Sequence, residues 1–281
     1  AYSQNRNYGT GTVLVGTNNS SFGYYAGHDN TASAGSNAFF GAYSGRYNTT
    51  GDANSFFGKG SGRGNTTGTN NTIVAYDAFY YNTTGSQNVA VGSGALYNNA
   101  ANQNTAVGDA AMRYNTTGTS NAALGFTALY SNSSGTSNTA IGASALWWNT
   151  SGSENTAVGR EALIRNETGF YNTAVGFQSL YYNTSSYNTA TGDKALYKNT
   201  SGSHNTAVGY AALYENTTGT YNVAIGRNAM YFNTGSYNTA TGYYAFANNT
   251  TGQRNSALGY RALDNNTTGG YNTAHGAHAL N

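Results

Sequence analysis

Apolar and polar positions along the chain recur every 17 residues, a period that marks a repeat architecture rather than a helix or a set of unrelated segments. Aligned on an asparagine four residues before a glycine, the units start at Asn19, Asn37, Asn54, Asn71, Asn88, Asn104, Asn121, Asn138, Asn155, Asn172, Asn188, Asn205, Asn222, Asn238, Asn255 and Asn272. The spacing is 18 once, 16 three times and 17 otherwise, and at Asn71 the fifth residue is Ala75. One unit, Asn205 to Tyr221, reads NTAVGYAALYENTTGTY, and its residues define positions 1 to 17. It predicts two short strands, positions 1 to 5 (Asn205 to Gly209) and 8 to 10 (Ala212 to Tyr214). Both are too short for helices, and each is closed by glycine or by the Asn-Thr-Thr-Gly run. Length variation collects in that run. The short units starting at Asn172 and Asn222 lose a residue within or beside it, and the unit starting at Asn88 has Asn99-Ala100-Ala101-Asn102 there.

A coil of strand, bend, strand and turn stacks on its neighbours as parallel strands about 4.8 Å apart. The fold expected is therefore all-β, a parallel β-solenoid or β-roll of about sixteen 17-residue coils. Residues 1–18 form a lead-in coil and 19–281 a continuous repeat domain, a rod on the order of 75 Å long. Like residues then form columns. Position 1 is the expected ladder, in which Asn88, Asn104, Asn121, Asn138, Asn155, Asn172, Asn188, Asn205 and Asn222 bond amide to amide and satisfy the backbone at a tight bend.

Alternation along the first strand puts position 3 on one face and position 4 on the other. Position 3 is mostly alanine, but it is Phe39 and Phe56 in the units where position 9 shrinks from leucine to Gly45 and Gly62. Volume exchanged in this way predicts that positions 3 and 9 fill one narrow core. Ile73 and Phe79, both large, are the exception. Position 4 then points outward, yet it carries Val91, Val107, Leu124, Ile141, Val158, Val175, Val208, Ile225 and Leu258, interrupted by Thr191, Thr241 and His275. An apolar column of this length predicts burial between several chains around a common axis; three is the usual number for fibres of this type, which would make the fibre a homotrimer.

The NTAVG and NTAIG strands resemble the head repeats of trimeric autotransporter adhesins and related repeats of phage tail fibres and bacterial fibrous adhesins, over nearly the whole chain. The Asn-Thr-Thr-Gly turn is an addition to the shorter autotransporter repeat. The resemblance implies a trimeric parallel β-solenoid that projects from a cell or virion and binds host matrix, cell surface or glycan.

Composition narrows the partners. Charged residues make up 8% and the formal net charge is +2, so no strong field favours nucleic acid or an anionic membrane. With no cysteine there are neither disulfides nor thiolate metal sites, and no apolar run reaches membrane-span length. An extracellular place, or one on a cell or virion surface, fits this composition.

No catalytic constellation emerges from the sequence, and no cofactor or metal site is expected. His28, His204, His275 and His278 are the only histidines, and ordinary surface or core roles outweigh a metal pair at His275 and His278. Glu154, Glu161, Glu167 and Glu215 are dispersed, unlike the paired carboxylates of glycosidases. The glycine-rich segment Gly58 to Gly68 lacks the Gly-Lys-Ser/Thr ending of a phosphate loop, and the aspartates of calcium-binding nonapeptide repeats are missing. Aromatic residues cluster at positions 10, 11 and 17: Tyr80, Tyr81, Tyr97, Trp147, Trp148, Tyr181, Tyr182, Tyr214, Tyr221 and Tyr231. They are candidate contact residues for sugars or partner surfaces, although stacking along the rod or between chains is the weightier expectation. Sequons such as Asn82-Thr83-Thr84 and Asn216-Thr217-Thr218 arise from the repeat itself. The expectation is a non-enzymatic extracellular structural or adhesive fibre segment, with itself and a host surface, matrix or glycan as partners. The alternatives are a subunit that polymerises end to end into a filament and, through threonine columns at positions 2, 13 and 14, an ice-binding solenoid.

Overall fold

A computed structural model of the chain describes residues 5–12, 15–31 and 33–281. Its contacts divide it into two compact units, Ala1–Asn138 and Thr139–Asn281. The first holds β1 (Arg6–Tyr8), β2 (Ser20–Phe22), β3 (Ala38–Phe40), β4 (Ser55–Phe57), β5 (Thr72–Val74), β6 (Val89–Val91), β7 (Thr105–Val107) and β8 (Ala122–Leu124). The second holds β9 (Thr139–Ile141), β10 (Thr156–Val158), β11 (Thr173–Val175), β12 (Thr189–Thr191), β13 (Thr206–Val208), β14 (Val223–Ile225), β15 (Thr239–Thr241), β16 (Ser256–Leu258) and β17 (Thr273–His275). Within each unit every strand pairs in parallel with the next in sequence, residue for residue, as Thr206, Ala207 and Val208 do with Val223, Ala224 and Ile225. Both units are parallel β-solenoids with one strand per coil.

Each strand is only three residues long because position 5 cannot continue it. The position-5 glycines have φ between +119° and +143°, a region that L side chains avoid. A Cβ at Gly209 would also lie 2.6 Å from the carbonyl oxygen of Gly226 on the next coil. Ala75 is the exception here too, holding φ +125° with a side chain.

The second strand expected at positions 8 to 10 does not form. Positions 7 and 9 are left-handed in most coils, as at Ala211 (φ +53°) and Leu213 (φ +52°), and an extended strand cannot contain such residues. The segment is a series of turns, closed by bonds such as Ala212 N–H to Gly209 O at 3.3 Å, yet it still bonds between coils. Ala211 N–H reaches back to Asp193 O, whereas Leu213 and Glu215 N–H reach forward to Ala229 and Tyr231 O. Backbone groups are thus paired across coils without strand geometry. Ala212 and Leu213 are adjacent and both fully buried, so the turns bring neighbouring side chains into one core.

The interior of each coil consists of positions 1, 3, 8, 9 and 12. Asn205, Ala207, Ala212, Leu213 and Asn216 are all buried. The exchange between positions 3 and 9 is a packing constraint. Cβ atoms added at Gly45 and Gly62 would lie 2.5 and 2.4 Å from the rings of Phe39 and Phe56. Ile73 and Phe79, both large, are nonetheless both fully buried in the neighbouring coil.

Candidate functional site

Three classes of column reach from this frame. The first is internal. At position 1, Oδ1 of each asparagine accepts the backbone N–H of the next asparagine, as Asn205 does from Asn222 at 3.0 Å. Its Nδ2 donates to the position-15 carbonyl of its own coil, Gly219 at 2.8 Å. Amide-to-amide contacts such as Asn205 Nδ2 to Asn188 Oδ1 (3.2 Å) are the longer ones, so the ladder bonds mainly to backbone. It extends well before the nine asparagines expected, from Asn5, whose Oδ1 accepts the Asn19 N–H, through Asn19, Asn37, Asn54 and Asn71. Position 12 carries a second ladder that was not anticipated. Asn199 Nδ2 donates to Asn183 Oδ1 at 2.7 Å, and Asn216 Nδ2 to Asn199 Oδ1 at 2.9 Å. Its signal was the asparagine that opens every Asn-Thr-Thr-Gly run.

The position-13 threonines form a hydroxyl column, in which Thr200 Oγ1 donates to Thr217 O at 2.9 Å and Thr250 Oγ1 to Thr267 O at 3.0 Å. Each of these donors is committed to the fold.

The second class is the outward apolar column at position 4. Val91, Leu124, Ile141, Val208, Ile225 and Leu258 are exposed by 36 to 50% within a single chain, and Val107, Val158 and Val175 are half-exposed. The first unit extends this column with residues the sequence reading omitted. Phe22, Phe40 and Phe57 stand at position 4, and Phe40 stacks on Phe57 at 5.1 Å. Their place in the alignment was the available signal.

The third class is aromatic. At position 10, Tyr80 stacks on Tyr97 at 5.3 Å. Tyr181, Tyr197, Tyr214 and Tyr231 form a continuous stack with centroids 5.0 to 5.1 Å apart. These ring faces are turned on one another. Burial, and then the neighbouring Tyr182, push the Tyr197 phenol up to about 12. At position 11, Tyr182 packs edge-on against Tyr181 and Trp148 edge-on against Trp147, and both outer rings stay exposed. At position 17, Tyr171, Tyr187, His204, Tyr221 and Tyr237 stack at 4.7 to 5.3 Å. The Arg254 guanidinium then lies 5.3 Å from Tyr237 and 5.4 Å from Tyr271. Of this column only Tyr221 was named from the sequence as a contact aromatic, and His204 only as a histidine.

Charged side chains join these columns. Lys198 bonds Glu215 on the next coil at 2.8 Å, and that bond raises the lysine's pKa. Tyr171 donates to Glu154 at 3.1 Å, which raises the phenol's pKa. Among the described residues no group of three or more His, Asp or Glu could hold a metal ion, and no helix is long and apolar enough to cross a membrane. His275 and His278 are exposed. No protein-family model, curated protein or solved structure matches the chain.

Proposed function

We propose that the chain is a segment of an extracellular structural and adhesive fibre of the kind its NTAVG repeats resemble, and that three copies associate through the position-4 column. The single observation that carries this is the exposure of that column. Val208, Ile225 and Leu258 are 37, 42 and 46% exposed in one chain while their strand neighbours at position 3 are buried. A soluble protein rarely leaves a largely aliphatic column of this length in water without a partner surface, even one broken at Thr191 and Thr241. Completing the burial of each side chain is worth about 1 kcal/mol, half or less of the gain for a fully buried aliphatic side chain. Summed over Ile141, Val158, Val175, Val208, Ile225 and Leu258, this comes to roughly 6 kcal/mol per chain, on the scale of the entropy lost in association. Two charges placed in the column are therefore expected to abolish assembly.

Native mass measurement at micromolar concentration tests the reading. A three-chain mass is expected for the wild type, and a single-chain mass with an unchanged circular dichroism spectrum for Val208→Asp/Ile225→Asp, whose substituted side chains sit outside the core. A wild-type monomer would refute it, and long fibrils in electron micrographs would favour end-to-end polymerisation instead.

A further inference from the structure

The columns are interrupted in one place where the interruption makes a site. Position 7 carries Lys194, Ala211, Asn228, Tyr244 and Arg261 on successive coils, and position 10 carries Tyr214, Tyr231, Ala247 and Asp264 beside them. Ala247 stands where most coils place a large side chain, often tyrosine, and Ala211 is small where Tyr244 is large; between them lies a groove of about 570 Å³ in the second unit. Ala211, Asn228 and Ala247 are buried at its base, with the stacked Tyr214 and Tyr231 rings and Tyr244 along its sides.

Two observations say what such a groove would take. The first is charge. Lys194, Arg227 and Arg261 line the groove together with a single carboxylate, Asp264, which Arg261 approaches at 3.7 Å. This leaves an excess of two positive charges, equal to the +2 formal charge of the whole chain, at one site. Among the described residues neither Lys194 nor Arg227 has a carboxylate partner. Arg227 is instead held over the Tyr210 and Tyr243 rings, 5.3 and 5.9 Å from their centroids. Burial raises the Asp264 pKa. The second observation is an unmet acceptor. Asn228 is 8% exposed and its side-chain Oδ1 has no hydrogen-bond partner. A buried acceptor without a donor is costly, and a hydroxyl entering the groove would supply one after a small rotation of the carboxamide.

The position-10 stack ends at Ala247, so one face of the Tyr231 ring carries no stacked aromatic; that face suits the C–H side of a pyranose, and phenol hydroxyls suit its edge. Unpaired guanidinium and ammonium groups match carboxylate or sulfate. We infer that the groove between Ala211 and Ala247 binds an acidic oligosaccharide, with Arg227 and Lys194 on its anionic groups and Asn228 on a hydroxyl. This rests on the adhesive part of the reading above and not on the association of chains.

The repeat supplies its own test substitutions. Ala211→Tyr fills the groove with a residue that position 7 already accommodates, since Tyr244 has φ +52° and Ala211 φ +53°. Calorimetric titration of the full chain with tetragalacturonate should show binding that falls at least tenfold in Ala211→Tyr and in Arg227→Gln, with maltotetraose at least tenfold weaker than the acidic sugar. Absence of binding, equal affinity for maltotetraose, equal or tighter binding of hexaglutamate, or an unchanged affinity in Ala211→Tyr would overturn the inference. The same titration on Val208→Asp/Ile225→Asp separates the two proposals. Binding that survives in a monomer keeps the groove whatever becomes of the fibre, and loss of binding by Ala211→Tyr trimers removes nothing from the fibre.

Discussion

Asn205→Ala removes one rung of the position-1 ladder, and the structure says what it leaves behind. Asn205 is buried, and its Oδ1 is the acceptor for the Asn222 N–H at 3.0 Å. Without it that N–H is buried and unpaired, at a cost of about 1–3 kcal/mol. The Nδ2 bond to Gly219 O at 2.8 Å is also lost, but that carbonyl keeps the Asn216 Nδ2 at 3.1 Å, so its share is nearer the ordinary net value of about 1 kcal/mol. The sum is about 2–4 kcal/mol, and because each coil touches only its neighbours it should fall locally. Amide hydrogen exchange reads this directly. The Asn222 amide and the coils starting at Asn205 and Asn222 should exchange roughly 30- to 700-fold faster, while coils two or more repeats away keep wild-type rates. The exposed Thr218→Ala should change nothing. Acceleration at Asn222 below about fivefold, or an equal loss of protection throughout the unit, would show that the ladder is not what satisfies the bend.

Ala75→Gly should stabilise the first unit by about 1 kcal/mol, because it places glycine at the one position-5 site that holds φ +125° with a side chain; a lower urea midpoint would contradict the strain assigned there. Gly62→Leu should destabilise by about 1–3 kcal/mol, since its Cβ would meet the Phe56 ring at 2.4 Å. Adding Phe56→Ala recreates the Ala/Leu pair of the other coils and should restore most of the loss. A double variant as unstable as the sum of its singles would refute the exchange of volume.

Much of this architecture was legible because a repeat writes each constraint many times. The ladder at position 1, the glycine at position 5 and the Phe56/Gly62 exchange each follow from comparing units, and each has a direct physical cause in the structure. The second strand was misread for an equally physical reason. Ala212-Leu213-Tyr214 is an apolar run closed by turn residues, but the left-handed backbone at Ala211 and Leu213 reflects inter-coil bonding and crowding that no propensity of alanine or leucine announces. The groove escaped notice because it is an absence. Ala211 and Ala247 look ordinary in a chain rich in alanine, and they matter only where the structure brings positions 7 and 10 side by side around Asn228.

The bonds between coils have a mechanical consequence. Among the described residues of each unit they join neighbouring coils only, and the chain has no cysteine to staple distant coils together. A load applied to one end therefore peels coils in order, and each coil released lengthens the tether by about 50–60 Å, the extended reach of 17 residues less one coil's rise. The next coil resists through the same ladder of bonds, so tension is shed in small equal steps instead of one collapse, and every released coil finds the face of its former neighbour waiting as a template for re-winding.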